Sequence, residues 1–188
     1  MSKTAHINRL REIALDQHGL ITNKQAQEVG VSGTSLAMLH KRGDVERVAS
    51  GVYRVSLVER SFREKLMLAT LWAGFPETAL SHETALDVWD ICDVNPMQID
   101  VCIGRGRRIR KQPIEGGLVH KEDLSPSDIT VVDGIRTVRP HVAIRQSIES
   151  GTQTRIVEQA IDNARARGLI THAQKEDLST LLEKRNHG

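Results

Sequence analysis

The stretch from Thr22 to Lys41 constrains this chain more than any other. It places Ala26, then Gly30 four residues on, then Leu36 and Leu39 at helical spacing. Two short helices that cross steeply need a small residue where they touch and a turn residue that accepts positive φ. They also need an apolar stripe on the second helix. Thr22 and Ser32 stand where each helix needs an N-cap, because a side-chain oxygen there accepts a free backbone N–H. Val29 and Val31 flank the turn and can seal its core. The spacing predicts a helix-turn-helix, its second helix running to about Arg42 and stopping at Gly43.

With Leu36 and Leu39 turned inward, the opposite stripe of that second helix is Thr34, Met38 and Lys41, with Ala37 beside it. Such a stripe is shaped for the major groove. Thr34 can bond base edges or phosphate, and Met38 and Ala37 can touch thymine methyls. Lys41 and Arg42 suit phosphates. Ser32 and Ser35 lie at the helix N-terminus, where free N–H groups favour an anion.

Ile7, Leu10, Ile13 and Ala14 mark a preceding helix that His18-Gly19 ends. After the motif, Val45 to Val48 and Val52 to Val55 read as two strands joined at Ala49-Ser50-Gly51. Arg47, Ser50, Gly51, Tyr53 and Arg54 gather around that tip as a basic wing. The DNA-contacting set expected from the sequence is therefore Ser32, Thr34, Ser35, Met38, Lys41, Arg42, Arg47, Ser50, Tyr53 and Arg54.

The rest of the chain reads as a mixed unit with a small sheet and C-terminal helices. Phe62 to Trp72 is a largely apolar helix, and Ser81 caps another through about Trp89. Met97 to Ile103 is a strand. Ile129 to Val132 and Ile135 to Val138 form a hairpin on Asp133-Gly134, a pair suited to a type I′ turn. Pro140 opens a helix that stops near Gly151. Thr154 to about Arg167 is the next, and Thr171 with Gln174 caps the last. The expected class is α+β: a winged helix-turn-helix over residues 1–57 and a mixed α/β domain over residues 61–188.

Composition narrows the function. Aromatic content of 3% leaves little for stacking platforms on single strands. A net charge of only +2 means that any nucleic-acid site comes from local clustering. One such cluster is Arg105, Arg107, Arg108, Arg110 and Lys111, which crowd a single loop with Gly104 and Gly106. It reads as a second basic surface for DNA or an acidic partner. Cys92 and Cys102 form no CxxC pair and read as core thiols. The N-terminus lacks an apolar signal core, and no long apolar run could span a membrane, so a cytoplasmic protein is expected.

Ser81-His82-Glu83 might suggest a catalytic triad, but adjacent helix residues diverge, and Ser81 as a cap explains the run better. The histidines show no metal-ligand spacing. Asp87, Asp90, Asp93 and Asp100 leave a nuclease as a minor alternative, with only Asp100 on an expected strand. No catalytic residue, metal or cofactor is expected.

The segment Leu10 to Tyr53, with HGLITNKQAQEVGVSGTSLAMLHKRGDVERVASGVYRV, resembles the N-terminal domain of AbiEi-family antitoxins. LSHETALDVWDI, IDVCIGRGRR and VVDGIRTVRPHVAI resemble that family's Ser-His helix, central strand with basic stretch, and closing hairpin. The resemblance implies a type IV antitoxin that represses its own operon at repeated promoter elements of double-stranded DNA. It also implies that the C-terminal domain counteracts a nucleotidyltransferase-like toxin. The alternative is a stand-alone regulator whose C-terminal domain senses a ligand or oligomerises.

Overall fold

The computed structural model describes residues 3–188. They divide into two compact units. One comprises residues up to Phe75 together with Arg108–Glu115, the other Pro76–Arg107 together with Gly116–Gly188.

In the first unit, α1 (Lys3–Leu15) ends before His18 and Gly19, which both take positive φ (51° and 88°) and turn the chain into a short strand β1 (Leu20–Thr22). Thr22 then caps α2 (Asn23–Glu28) through a capping box. Its hydroxyl accepts from Gln25 N at 3.2 Å, and Gln25 Oε1 accepts from Thr22 N at 2.9 Å. Gly30 carries the turn at φ 80°, a conformation that costs a side-chain-bearing residue more than glycine. Ser32 caps α3 (Gly33–Lys41). The wing is β2 (Val45–Ala49) and β3 (Val52–Val55), with Gly51 at φ 77° in the turn. With β1 they make a three-stranded antiparallel sheet of order β1-β3-β2. Arg47 faces Tyr53 and Ala49 faces Val52, so β2 carries one extra residue, Val48, as a bulge.

Ile7, Leu10, Ala14, Ile21, Ala26, Val31, Leu36, Leu39, Val45, Val55 and Val58 form the core of this unit. Each large aliphatic side chain so buried contributes about 1.5–3 kcal/mol. The helix α4 (Glu64–Ala73) packs against β1 and β3. Here the compact units depart from the boundary expected near residues 57–61. The helix starts two residues later than expected, and Phe62 stays 89% exposed. Met67, Ala69, Trp72 and Ala73 are buried with the winged helix instead. The segment Arg108–Glu115 returns to the same unit, where Gln112 O accepts from Trp72 Nε1 at 2.9 Å and Lys111 Nζ donates to Trp72 O at 2.8 Å.

The second unit contains β4 (Ala79–Leu80), α5 (His82–Trp89), β5 (Ile99–Ile103), β6 (Gly117–Lys121), β7 (Ile129–Val132), β8 (Ile135–Val138), α6 (Pro140–Glu149), α7 (Thr154–Ala166) and α8 (His172–His187). The five strands run in the order β6-β5-β4-β8-β7. The pairs β5·β6 and β4·β8 are parallel, and the others are antiparallel. Asp133 and Gly134 both take positive φ (48° and 79°), as the type I′ turn requires. Thr171 and Gln174 form the expected capping box. Leu86, Ile91, Val142, Ile144, Ile148, Val157, Ile161, Leu178 and Leu182 unite the four helices with the sheet in one core.

The class is mixed α+β, with the winged helix-turn-helix at the N-terminus as the spacing predicts. Among the described residues, no helix is long and apolar enough to cross a membrane. Cys102 is fully buried, and burial pushes its thiol up to about 12. Burial likewise pushes the half-buried Cys92 up to about 11.

Candidate nucleic-acid interface

The geometry of α3 is set from beneath. Ala26, on α2, is fully buried, and its carbonyl accepts from Val31 N at 2.8 Å across the turn. Leu36 and Leu39 are 1% and 3% exposed. Those anchors leave Thr34, Ala37, Met38 and Lys41 exposed, Met38 at 51%. The outward stripe is thus the one that the spacing predicts, and it belongs to a helix held rigidly by its inner side.

At the helix start, Ser32 Oγ accepts from Ser35 N at 3.1 Å and donates to Ser35 Oγ at 3.0 Å. Ser35 is therefore half-buried and engaged in the cap, while the N–H groups of Gly33 and Thr34 stand at an exposed helix end. At the other end, His40 Nδ1 donates to Val45 O at 3.1 Å, and its ring meets Tyr53 edge-on at 6.4 Å. That pair fastens the end of α3 to the wing. Nothing in the local sequence around His40 signals this role, because its partners lie five and thirteen residues away.

The wing is tied to α2 by Asn23 N, which donates to Gly51 O at 2.9 Å. Arg47 is exposed, as are Lys41 and Arg42, whereas Ser50 and Tyr53 are half-buried. Tyr53 packs against the core, so only part of its ring faces solvent.

Arg54 departs from expectation. It is 7% exposed, with Nε donating to Glu64 Oε2 at 3.2 Å and Nη2 to Val58 O at 2.9 Å. Its guanidinium is committed to a buried ion pair beneath the sheet and offers nothing to a phosphate. Strand alternation puts Arg54 opposite Leu20 and Glu46, on the face away from Tyr53, and α4, which carries Glu64 and packs on β1 and β3, covers that face.

The cations of the loop after β5 are all exposed, but they are not equivalent. Arg107 is paired with Glu77, and that guanidinium holds the Glu77 carboxyl below the usual carboxylate range. Lys111 caps the end of α4 through Trp72 O. The expected five-cation patch thus has two members already engaged within the protein. Arg105, Arg108 and Arg110 have no ion pair among the described residues.

Ser81 N-caps α5 in backbone geometry, but its side chain makes no capping bond. Its Oγ lies 3.0 Å from His82 Nδ1 instead. The two residues therefore do meet, against the expectation that they diverge. Ser81 is fully buried, so its hydroxyl is closed to a substrate. Among the described residues, no group of three or more His, Cys, Asp or Glu is placed to hold a metal ion.

Residues 8–56 match the family model described as "Transcriptional regulator, AbiEi antitoxin", the span of α1 through the wing. Among solved structures, the chain is similar to the Rv2827c protein from Mycobacterium tuberculosis, with 15% sequence identity and a TM-score of 0.56. The similarity covers 96% of this chain and 77% of that one. It is a likeness of fold. No curated protein matches the chain significantly.

Proposed function

We propose that, with a winged helix of the AbiEi antitoxin-regulator type, this chain is a DNA-binding autorepressor and the antitoxin of a type IV toxin–antitoxin pair. The observation that carries the reading is the exposed Thr34–Met38–Lys41 stripe on a helix whose other side is pinned by Leu36 and Leu39. Docked in the major groove, Thr34 and Met38 meet base edges. Lys41, Arg42 and Arg47 neutralise phosphates, with the N–H groups at the start of α3 adding a further anion contact. The cognate DNA is the chain's own promoter, at repeated elements. The partner that it counteracts is a nucleotidyltransferase-like toxin.

The test is footprinting and band-shift on the promoter of its own gene, with a salt series. Protection of repeated elements is expected, with affinity falling steeply between about 50 and 200 mM salt. Equal binding to random and promoter DNA would remove the repressor role. Rescue of growth when the adjacent toxin gene is co-expressed tests the antitoxin role separately. Failure of rescue with promoter binding intact would leave a stand-alone regulator.

A further inference from the structure

A second polar site lies wholly within the unit formed by Pro76–Arg107 and Gly116–Gly188. His82, at the start of α5, stacks on His120 of β6 with ring centroids 3.6 Å apart and planes 20° from parallel. His120 Nε2 is 2.8 Å from Oδ1 of Asp100, on β5. Asp100 is 8% exposed, and its Oδ2 accepts from Thr84 Oγ1 at 3.1 Å. His82 has φ 50°, uncommon for a non-glycine residue, and its N–H is held by Gln146 Oε1 at 3.2 Å. Backbone strain of this kind costs on the order of 1–3 kcal/mol and persists only where the surroundings enforce it.

His82, His120 and Asp100 line a cavity of about 320 Å³. Its polar wall carries two carboxylates, Glu83 and Asp100, and its lining contains no lysine or arginine. Glu83 accepts one hydrogen bond, from Thr152 Oγ1 at 2.8 Å, and has no cationic partner among the described residues. The nearby Arg145 is occupied by Glu122 and Glu149. Burial and the neighbouring His120 pull His82 down to about 4, so it adds no positive charge at neutral pH. Its exposed lining includes two apolar side chains, Met97 at 92% and Leu118 at 39%, beside Gln98, Ser150, Gly151 and Gln153. Carboxylates without a lysine or arginine beside them, next to two exposed apolar side chains, complement a planar cation on an aliphatic stem.

We propose that this cavity binds a guanidinium group carried on an alkyl chain, with Glu83 as its counter-ion and Met97 and Leu118 along the stem. The group can belong to a free small molecule or to an arginine side chain of a partner protein. The experiment follows the ring resonances of His82 and His120 by NMR in the full chain. One titration uses butylguanidinium, with butylurea as its neutral isostere. A second uses a blocked Gly-Gly-Arg-Gly-Gly peptide, with citrulline replacing arginine as its control. Saturable shifts are expected with the guanidinium ligands and not with their urea isosteres. Saturation by the peptide assigns the arginine-side-chain source, and saturation by butylguanidinium alone assigns the small molecule. E83Q keeps the shape of the site and should weaken binding about tenfold. M97K changes only an exposed residue and should also weaken binding. Absence of saturable shifts up to about 10 mM would overturn the proposal. So would equal shifts from the isosteres, or wild-type affinity in both variants.

Discussion

Two arginines on adjacent wing strands show how much the cover over a single residue decides. Arg47 is exposed, while Arg54 is buried against Glu64 and Val58 O. Removing one partner of a buried ion pair leaves the other uncompensated and costs about 3–5 kcal/mol. Arg54→Ala should therefore lower the melting temperature and leave the salt dependence of DNA binding, measured on the folded fraction, unchanged. Arg47→Ala should do the reverse, reducing the salt slope by about one with little change in stability. From sequence alone the two look alike, since each is a cation near the same turn. The distinguishing partner, Glu64, sits in a helix that the local pattern assigns elsewhere.

At the scale of elements, the turn between α2 and α3 has the narrowest tolerance. Leu36→Ala should cost about 2–5 kcal/mol by opening a cavity beneath α3. Gly30→Ala should cost about 1–2 kcal/mol, since φ 80° is strained for any side chain. Denaturant unfolding monitored by circular dichroism measures both. These helices were readable because their signals are local. Thr22, Ser32 and Thr171 cap the helices that they precede, and Asp133-Gly134 sets its own hairpin. The strands β1 and β4, of three and two residues, are too short to show a period. β6 escaped for another reason. It pairs in parallel with β5, and its half-exposed GLVHK lacks clear alternation. The His82–His120–Asp100 cluster was equally hidden, because a helix start and two strands bring its members together.

Across the whole molecule, the shifted titrating groups converge on sensitivity to acid. His82 is held at about 4 against an ordinary 6.5, and burial lowers His141 as well. The unfolded chain then binds more protons than the folded one between pH 6.5 and about 4. Stability should be fully present above that window and fall as pH drops through it. Carboxylates extend the trend further down. Burial works to raise Glu122, but hydrogen bonds from Gln146 and Arg145 outweigh it and keep it lowered, and Arg107 lowers Glu77. Thermal melts from pH 7 to pH 4 should show a continuous decline, and His82→Asn should flatten its upper part. A flat wild-type profile over that range would contradict the burial of His82 in a neutral state.

The supernumerary Val48 gives the wing a counting rule. Pleated ribbon alternates strictly, so losing or gaining one position ahead of the irregularity exchanges the inward and outward sets of β2. Chains of this kind that differ by a single residue between Val45 and Ala49 would present a different side chain where Arg47 now stands, whatever their overall likeness. A wing of altered length would then offer a different surface even where its cations are unchanged.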